Sequence, residues 1–449
     1  MMRSWVLHGT TGIQGAIRVP GDKSISHRCL LLGALAEGTT EVRGLLRSAD
    51  CLATLAALRA LGAEISESID GRVVISGMGP EALREPDIIL DAGNSGTTLR
   101  LLAGIVAGRP FFSVLTGDAS LCRRPMRRVV DPLTAMGATL LGRAGGRYPP
   151  LAIQGRELCG ITWACPVASA QVKSAILLAG IQATGETRVT EPMLSRDHTE
   201  RMLAAFGVEV QRRGTTVSVR GPARLQAARL TVPGDLSSAA FFLVAAAGLP
   251  GGEVLIHDVG VNGTRSGVLE VLDAMGAAIA QTRLRTEAGE PLADLSVRRA
   301  RLHGAKIGAE LIPRLLDEIP ALAVAAAMAE GETVISGAAE LRVKEVDRLA
   351  ALAGELAKFG VEVVEERDGL RIVGGRTLRG TIVSSRGDHR MAMALAVAGL
   401  FARGETRVED VACAATSFPG FPGLLAEVAP ACDIREIDDE AQAAVGDRD

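Results

Sequence analysis

One phrase recurs six times along these 449 residues. A polar start rich in Gly, Ser or Asp runs into an Ala/Leu-rich helix, a Gly turn and a β-branched strand. The copies begin near Gly21, Asp91, Ala168, Gly234, Asp317 and Gly387, at intervals of 70, 77, 66, 83 and 70 residues. A period of that size is a folding unit, larger than most solenoid repeats. Five copies carry a second helix with a shared ending: LAALRALGAEI, VVDPLTAMGATL, MLAAFGVEV, VLEVLDAMGAAI and LAGELAKFGVEV. Apolar residues there recur at i, i+3 and i+4, and Gly marks the helix end with a strand beyond it. The sixth copy has only FPGLLAEVAP and reads as truncated. Such a unit cannot bury its own apolar face, so the copies must pack in assemblies of three or six. Each copy also opens a helix. Exposed N–H groups at six helix N-termini would build a cationic site.

Composition sharpens this reading. A chain of this length exceeds one usual core, so two or more domains are expected. Hydrophobic residues make up 47% and aromatics only 3%, so the cores are built from Ala, Leu, Val and Ile, with close helix packing. A formal charge of −3 argues against a general nucleic-acid binder, and any anion site must come from local arrangement. The seven Cys form no CxxC or CxxxC pair and the six His no HxxxH spacing, which predicts reduced thiols and no metal site. MMRSWVLHG lacks a signal-peptide core, and the apolar stretch Ile319–Ala329 is too short to span a bilayer. These features predict a soluble cytoplasmic protein, with residues 436–449 as a frayed acidic tail.

VPGDKS at Val19–Ser24 returns as VPGDLSS at Val232–Ser238, 213 residues later. Pro-Gly-Asp is a sharp turn with Asp placed as an N-cap. The two turns predict a chain that passes between two three-copy domains, one of residues 1–20 plus 234–449, the other of 21–233.

The same helix starts carry the reactive side chains. Lys23, Ser24 and Arg28 open the first copy. Lys23 is a point charge, Arg28 can grip a carboxylate in bidentate fashion, and Ser24 lies four residues from Arg28 on one helical face. Alone, they read equally as a solvated basic helix start. Asn94-Ser95-Gly96-Thr97 is a small-residue loop in which Gly96 lets backbone approach a ligand, or simply turns. Ser195-Arg196 follows a strand, and Ser195 could be an ordinary N-cap. Asp317 heads the apolar helix, where an Asp is usually a first-turn charge. Lys344 and Arg348 fall at i, i+4 with Glu345 turned by roughly 100°, a pattern that generic ion pairing on a surface helix also explains.

Pro20-Gly21-Asp22-Lys23-Ser24-Ile25-Ser26-His27-Arg28 resembles the signature of the 5-enolpyruvylshikimate-3-phosphate synthase family. So, in order, do Gly93–Thr98, Arg124-Pro125-Met126, Ser169-Ala170-Gln171-Val172-Lys173, Arg342–Arg348 and Asp388-His389-Arg390-Met391-Ala392. Singly, GNSGTT is weak and DKSISHR strong. The resemblance covers all but the acidic tail. It implies a mixed α/β (α+β) fold of two domains, each of three inverted βαβαββ units, with the active site in the cleft between them.

The implied reaction moves the enolpyruvyl group of phosphoenolpyruvate to the 5-hydroxyl of shikimate 3-phosphate and releases phosphate, on the route to aromatic amino acids. The substrates are small molecules, no cofactor or metal is needed, and neither nucleic acid nor membrane is a partner of the expected monomer. By the resemblance, Lys23, Ser24, Arg28, Ser169, Ala170, Gln171, Asp317, Lys344 and one of Ser195 or Arg196 hold shikimate 3-phosphate. Lys23, Asn94, Gly96, Arg124, Gln171, Arg348 and Arg390 hold phosphoenolpyruvate. Asp317 is the general base, and Glu345 and Lys23 complete the catalytic set; two carboxylates with different neighbours can serve as base and acid at one pH.

Ala170 stands where one subgroup has a second Ser, and Thr416 stands where some members carry a Lys. Gly96 leaves room that an Ala methyl would fill, which implies some sensitivity to the inhibitor glyphosate, while Ala170 and Leu101 resemble a subgroup with less sensitive members. Two rival readings share the fold. The sister activity on UDP-N-acetylglucosamine typically needs a reactive Cys five residues before Arg124, where this chain has Ala119. An inactive binding protein would have lost part of the charged set.

Overall fold

The computed structural model describes residues 3–438. Two compact units result. The first comprises Met1–Pro20, Gly234–Arg285 and Leu292–Asp449; the second comprises Gly21–Pro233 and Thr286–Pro291.

Every sequence copy becomes one small sheet with two helices. The third copy shows the plan. Strand Thr162–Ala164 leads to helix Ala170–Gly180, strand Gly185–Thr190, helix His198–Ala205 and strands Val210–Arg213 and Thr216–Gly221. Thr162–Ala164 lies parallel to Gly185–Thr190 (Thr162 opposite Arg188). That strand pairs antiparallel with Thr216–Gly221, which pairs antiparallel with Val210–Arg213. The second and fifth copies repeat this βαβαββ order.

The other three copies borrow a strand. Leu225–Gln226 and Arg229–Thr231 complete the first copy's sheet beside Ala36–Arg43. Gly12–Ile17 completes the fourth beside Gly251–Gly260. Arg3–His8 enters the sixth between Glu405–Glu409 and Arg435–Asp438. The sixth copy therefore looks truncated in sequence because the chain's N-terminal segment supplies its missing strand. This pairing also corrects the expected tail. Glu436–Asp438 belong to a paired strand, held by Arg3 Nη1 on Glu436 Oε1 at 2.9 Å; the rest of 436–449 lies outside the described residues.

Local chemistry explains the repeat. The glycines of the shared ending (Gly62, Gly137, Gly207, Gly276 and Gly360) all hold left-handed φ angles of 85–119°, which stop the second helix and turn the chain into its strand. Gly104 shows why small residues fill the leading helices. A Cβ there would sit 2.2 Å from the Ala175 carbonyl oxygen, so helices Gly96–Val106 and Ala170–Gly180 touch backbone to backbone. In the first unit five of the scarce aromatics form one cluster: Trp5, Phe241, Phe242, Phe418 and Phe421, with neighbouring ring centroids 5.5–6.2 Å apart.

The chain leaves the first unit at Pro20 and returns at Gly234. The Asp22 N–H donates to the Pro233 carbonyl, and the Asp235 N–H donates to that of Pro20, each at 2.8 Å. Both VPGD turns are thus fixed by backbone bonds. Among the described residues no helix is long and apolar enough to cross a membrane.

Candidate active site

The leading helices of five copies have part of their first-turn N–H groups capped by side chains. Asp22 accepts from the Ile25 N–H, Ser95 from Thr98, Ser169 from Val172, Asp235 from Ser237, and Asp388 from Arg390 and Met391. These are side-chain N-caps, so the expectation of open helix ends is corrected for five of the six copies. Much of the cationic character therefore comes from side chains.

In the second unit, Arg28 is deeply set, 3% exposed. Its Nε donates to Thr199 Oγ1 at 2.6 Å, Nη1 to the Ser24 carbonyl at 2.8 Å and Nη2 to Ser174 Oγ at 2.7 Å. Three of five N–H groups are spent, and two remain for a ligand. Burial lowers its pKa to about 10, with Glu200 opposing, so it stays charged at neutral pH. Lys23 Nζ lies 3.1 Å from Asp50 Oδ2, and Ser24 is half-buried beside it.

His27, between them on the helix, is fully buried, and Nδ1 meets Thr54 Oγ1 at 2.7 Å. Burial first, then Lys23 and Arg28, push its pKa well below the usual 6.5 and keep it neutral.

The Asn94–Thr97 loop meets Arg124 directly, since Arg124 Nη2 donates to Asn94 Oδ1 at 2.6 Å and to Ser120 at 3.4 Å. Arg100, which sequence reasoning passed over, joins this loop to the third copy. Its Nη1 donates to Gln171 Oε1 at 2.7 Å, while Gln171 Nε2 donates to Thr97 Oγ1 at 2.9 Å. A Cβ at Gly96 would lie 2.5 Å from Arg100 Nη1 and 3.5 Å from Arg124 Nη1. Gly96 is therefore a matter of space beside two guanidinium groups. The available signal was the i, i+4 spacing of Gly96 and Arg100 on one helix face.

Ser169 caps its helix, and Ala170 is the first residue inside it. Ser195 is not a cap: the following helix begins at His198 with Asp197 as its N-cap residue, and the Ser195 hydroxyl instead donates to Glu191 Oε2 at 2.8 Å. Arg196, next to it, is half-buried.

In the first unit, Asp317 precedes Glu318, the N-cap residue of helix Ile319–Met328. Its carboxylate faces arginines: Arg348 Nη1 lies 3.6 Å from Oδ1, Arg390 Nη2 lies 3.6 Å from Oδ2, and Arg390 Nη1 donates to its carbonyl at 3.2 Å. Glu318 points elsewhere. It is buried on the Ser237 hydroxyl, 3.6 Å from Arg265, which in turn holds Asp235 at 2.8 Å. The fourth copy's helix start is thus occupied from within.

The expected helix through Lys344 and Arg348 is corrected. Asp347 caps the helix by accepting from the Ala350 N–H at 3.1 Å, so the helix starts at Arg348. Lys344 follows the short turn Ala339–Val343 in extended conformation, and Lys344 and Arg348 share no helical face. Glu345 nevertheless meets Arg348, its Oε2 2.8 Å from Nη2. Desolvation lowers the Lys344 pKa below the ordinary 10.5, against the pull of Asp317.

Arg348 is the hub, 1% exposed. Nε donates to Asp388 Oδ2 at 2.7 Å and Nη2 to Oδ1 at 3.3 Å, while Nη1 is buried without a hydrogen-bond partner. Its pKa is raised: burial alone would lower it, but Asp388, Glu345 and Asp317 outweigh that. Asp388, which sequence reasoning did not assign, therefore caps one helix and anchors the guanidinium of another. Among the described residues no group of three or more His, Cys, Asp or Glu is placed to hold a metal ion.

Known proteins resemble this chain over nearly its whole length. The family model for EPSP synthase (3-phosphoshikimate 1-carboxyvinyltransferase) matches residues 7–425. The 3-phosphoshikimate 1-carboxyvinyltransferase of Geotalea uraniireducens is 54% identical, over 95% of this chain and 99% of that protein. The enzyme of that name from Desulforudis audaxviator is 57% identical, over 92% and 96%. A solved structure of EPSP synthase from Acinetobacter baumannii superposes with a TM-score of 0.87 at 44% identity, covering 98% of this chain and all of that one.

Proposed function

We propose, for a chain that belongs to the EPSP synthase family, that its two clusters divide one reaction between recognition and proton transfer. The reaction is the transfer of the enolpyruvyl group of phosphoenolpyruvate to the 5-hydroxyl of shikimate 3-phosphate, with release of phosphate, in aromatic amino acid biosynthesis. The 5-oxygen bonds to C2 of phosphoenolpyruvate as C3 gains a proton. The C2–O bond to phosphate then breaks, and C3 loses a proton to restore the methylene.

Recognition falls mainly to the second unit. Arg28 and Lys23, with Ser24, Ala170 and Gln171, surround shikimate 3-phosphate. Ser169 Oγ accepts from its helix and keeps its own hydrogen for a phosphate oxygen. Ser195 has one hydroxyl hydrogen and gives it to Glu191, so Arg196 is the better phosphate donor of that pair. Asn94, Gly96, Arg124 and Gln171 form the phosphoenolpyruvate side, joined by Arg348 and Arg390 from the first unit.

Proton transfer falls to the first unit, with Lys344 there as a cation for shikimate 3-phosphate. One observation carries this reading. Asp317 and Glu345 are both held against the same buried guanidinium, Arg348, at 3.6 and 2.8 Å. Asp317 takes the 5-hydroxyl proton, and Glu345 exchanges the proton at C3. The guanidinium compensates their charge and keeps both carboxylates near the reacting carbons.

A cytoplasmic setting and a monomer remain our reading; for the former, no disulfide joins any of the seven cysteines. Phosphate release from phosphoenolpyruvate tests the assignment. Release with shikimate 3-phosphate and none with UDP-N-acetylglucosamine is expected. Release only with the latter, or with neither, would overturn it.

A further inference from the structure

Three buried charges of the second unit have no place in the reaction above. Lys173 Nζ lies 2.9 Å from Glu191 Oε2 and 2.8 Å from Glu200 Oε1, and all three side chains are at most 7% exposed. Buried ion networks are costly to assemble, and simple stability is a weak reason for one.

The bonds of Glu191 give it a more specific task. Its Oε1 accepts the backbone N–H of Ser169 at 2.8 Å, and its Oε2 accepts the Ser195 hydroxyl at 2.8 Å. One carboxylate thus ties the start of helix Ala170–Gly180 to the segment that carries Arg196. Lys173 adds a bond to the Ser195 carbonyl at 3.4 Å. A bare carboxylate here would repel a phosphate dianion. Lys173 cancels that charge, and Glu200 links the network electrostatically to Arg28.

We propose that Glu191, with Lys173 as its charge partner, is a positioning residue that fixes the spacing of Ser169 and Arg196 around the phosphate of shikimate 3-phosphate. This rests on the reading that those two residues hold the phosphate. Glu191 itself touches no substrate.

The test keeps net charge constant, so that altered field strength does not mask altered geometry. In Glu191→Met/Lys173→Met both anchoring bonds vanish. The KM for shikimate 3-phosphate should rise about tenfold, the scale of one buried polar group left unsatisfied. The KM for phosphoenolpyruvate and kcat should stay within about twofold. Glu191→Gln/Lys173→Met should restore the shikimate 3-phosphate KM, because the amide oxygen accepts from Ser169 and the Ser195 hydroxyl can turn to accept from the amide N–H₂. A merely structural role would lower the melting temperature of both variants without that split or rescue.

Should the Met pair fail to fold, Ser195→Ala removes a single hydroxyl and should raise the same KM about threefold, both alone and in the Glu191→Gln/Lys173→Met background, where the amide keeps that contact. Ser169→Ala reports on the underlying reading. If it weakens shikimate 3-phosphate while the Glu191 variants and Ser195→Ala do not, the positioning role is wrong and the phosphate assignment stands. If Ser169→Ala changes nothing, the phosphate assignment falls and the positioning role with it.

Discussion

In the second unit Arg28 is held by neutral acceptors, whereas in the first Arg348 is held by carboxylates. Arg28 is fixed by two hydroxyls and a carbonyl, and Arg124 donates to an amide oxygen and a hydroxyl. Arg348 is fixed by Asp388 and Glu345, and Arg390 leans on Asp317. A neutral acceptor orients a guanidinium and leaves its field intact for an incoming anion. A carboxylate orients it and cancels the field, but sets a proton carrier beside it. On the proposed reading, two versions of one scaffold thereby do different work. Among the lysines of the second unit, Lys23 is paired with Asp50, and Lys173 with Glu191 and Glu200.

Each prediction presses on that contrast. The largest effect is expected at Asp317. Asp317→Asn should lower kcat by about 10³-fold, the scale of a lost general base, with both KM values moving only a few-fold. A drop confined to KM would erase the division of labour.

Next comes stability. Asp388→Asn breaks the charge pair of a guanidinium that is 1% exposed and should cost about 3 kcal/mol in denaturant unfolding. Thr199→Val removes a neutral acceptor from Arg28 and should cost about 1.5 kcal/mol. Equal costs would mean that the two modes of holding an arginine do not differ.

A pH profile separates the units further. Because burial lowers the Lys344 pKa, kcat/KM for shikimate 3-phosphate should fall on the alkaline side at a pH below 10.5. Lys344→Arg should move that limb upward, since guanidinium keeps its proton.

The smallest effect belongs to His27, whose folded pKa lies below its unfolded 6.5. The unfolded chain takes up a proton that the folded chain refuses. Its contribution is therefore complete above pH 6.5 and declines as pH falls below it, by about 1.4 kcal/mol per pH unit at most. His27→Asn should flatten that part of the curve of melting temperature against pH.

Much of this was legible in the chain. The six copies, their helix starts and their closing glycines follow from local patterns, and the residues gathered on Arg28, Arg124 and Arg348 come from motifs at those starts. What stayed hidden depends on distant partners or on a cap. The pairing of Asp388 with Arg348 spans 40 residues and that of Glu191 with Ser169 spans 22, and no periodicity marks either. Lys344 and Glu345 read as helical until Asp347 is recognised as the cap that excludes them. Ser195 read as a cap because a hydroxyl before a helix is usually one; here Glu191 claims it. The sixth copy looked short because Arg3–His8, almost 400 residues away, completes its sheet.

Calorimetric binding of shikimate 3-phosphate to two variants tests the division most directly. Asp317→Asn should bind within about fivefold of the unaltered protein, having lost a base rather than a grip. Arg28→Lys should bind about 100-fold more weakly, because an ammonium cannot reach Thr199, Ser174 and a carboxylate together. Arg28→Lys binding at full strength, or Asp317→Asn losing affinity as severely as Arg28→Lys, would contradict the assignment of recognition to one unit and proton transfer to the other.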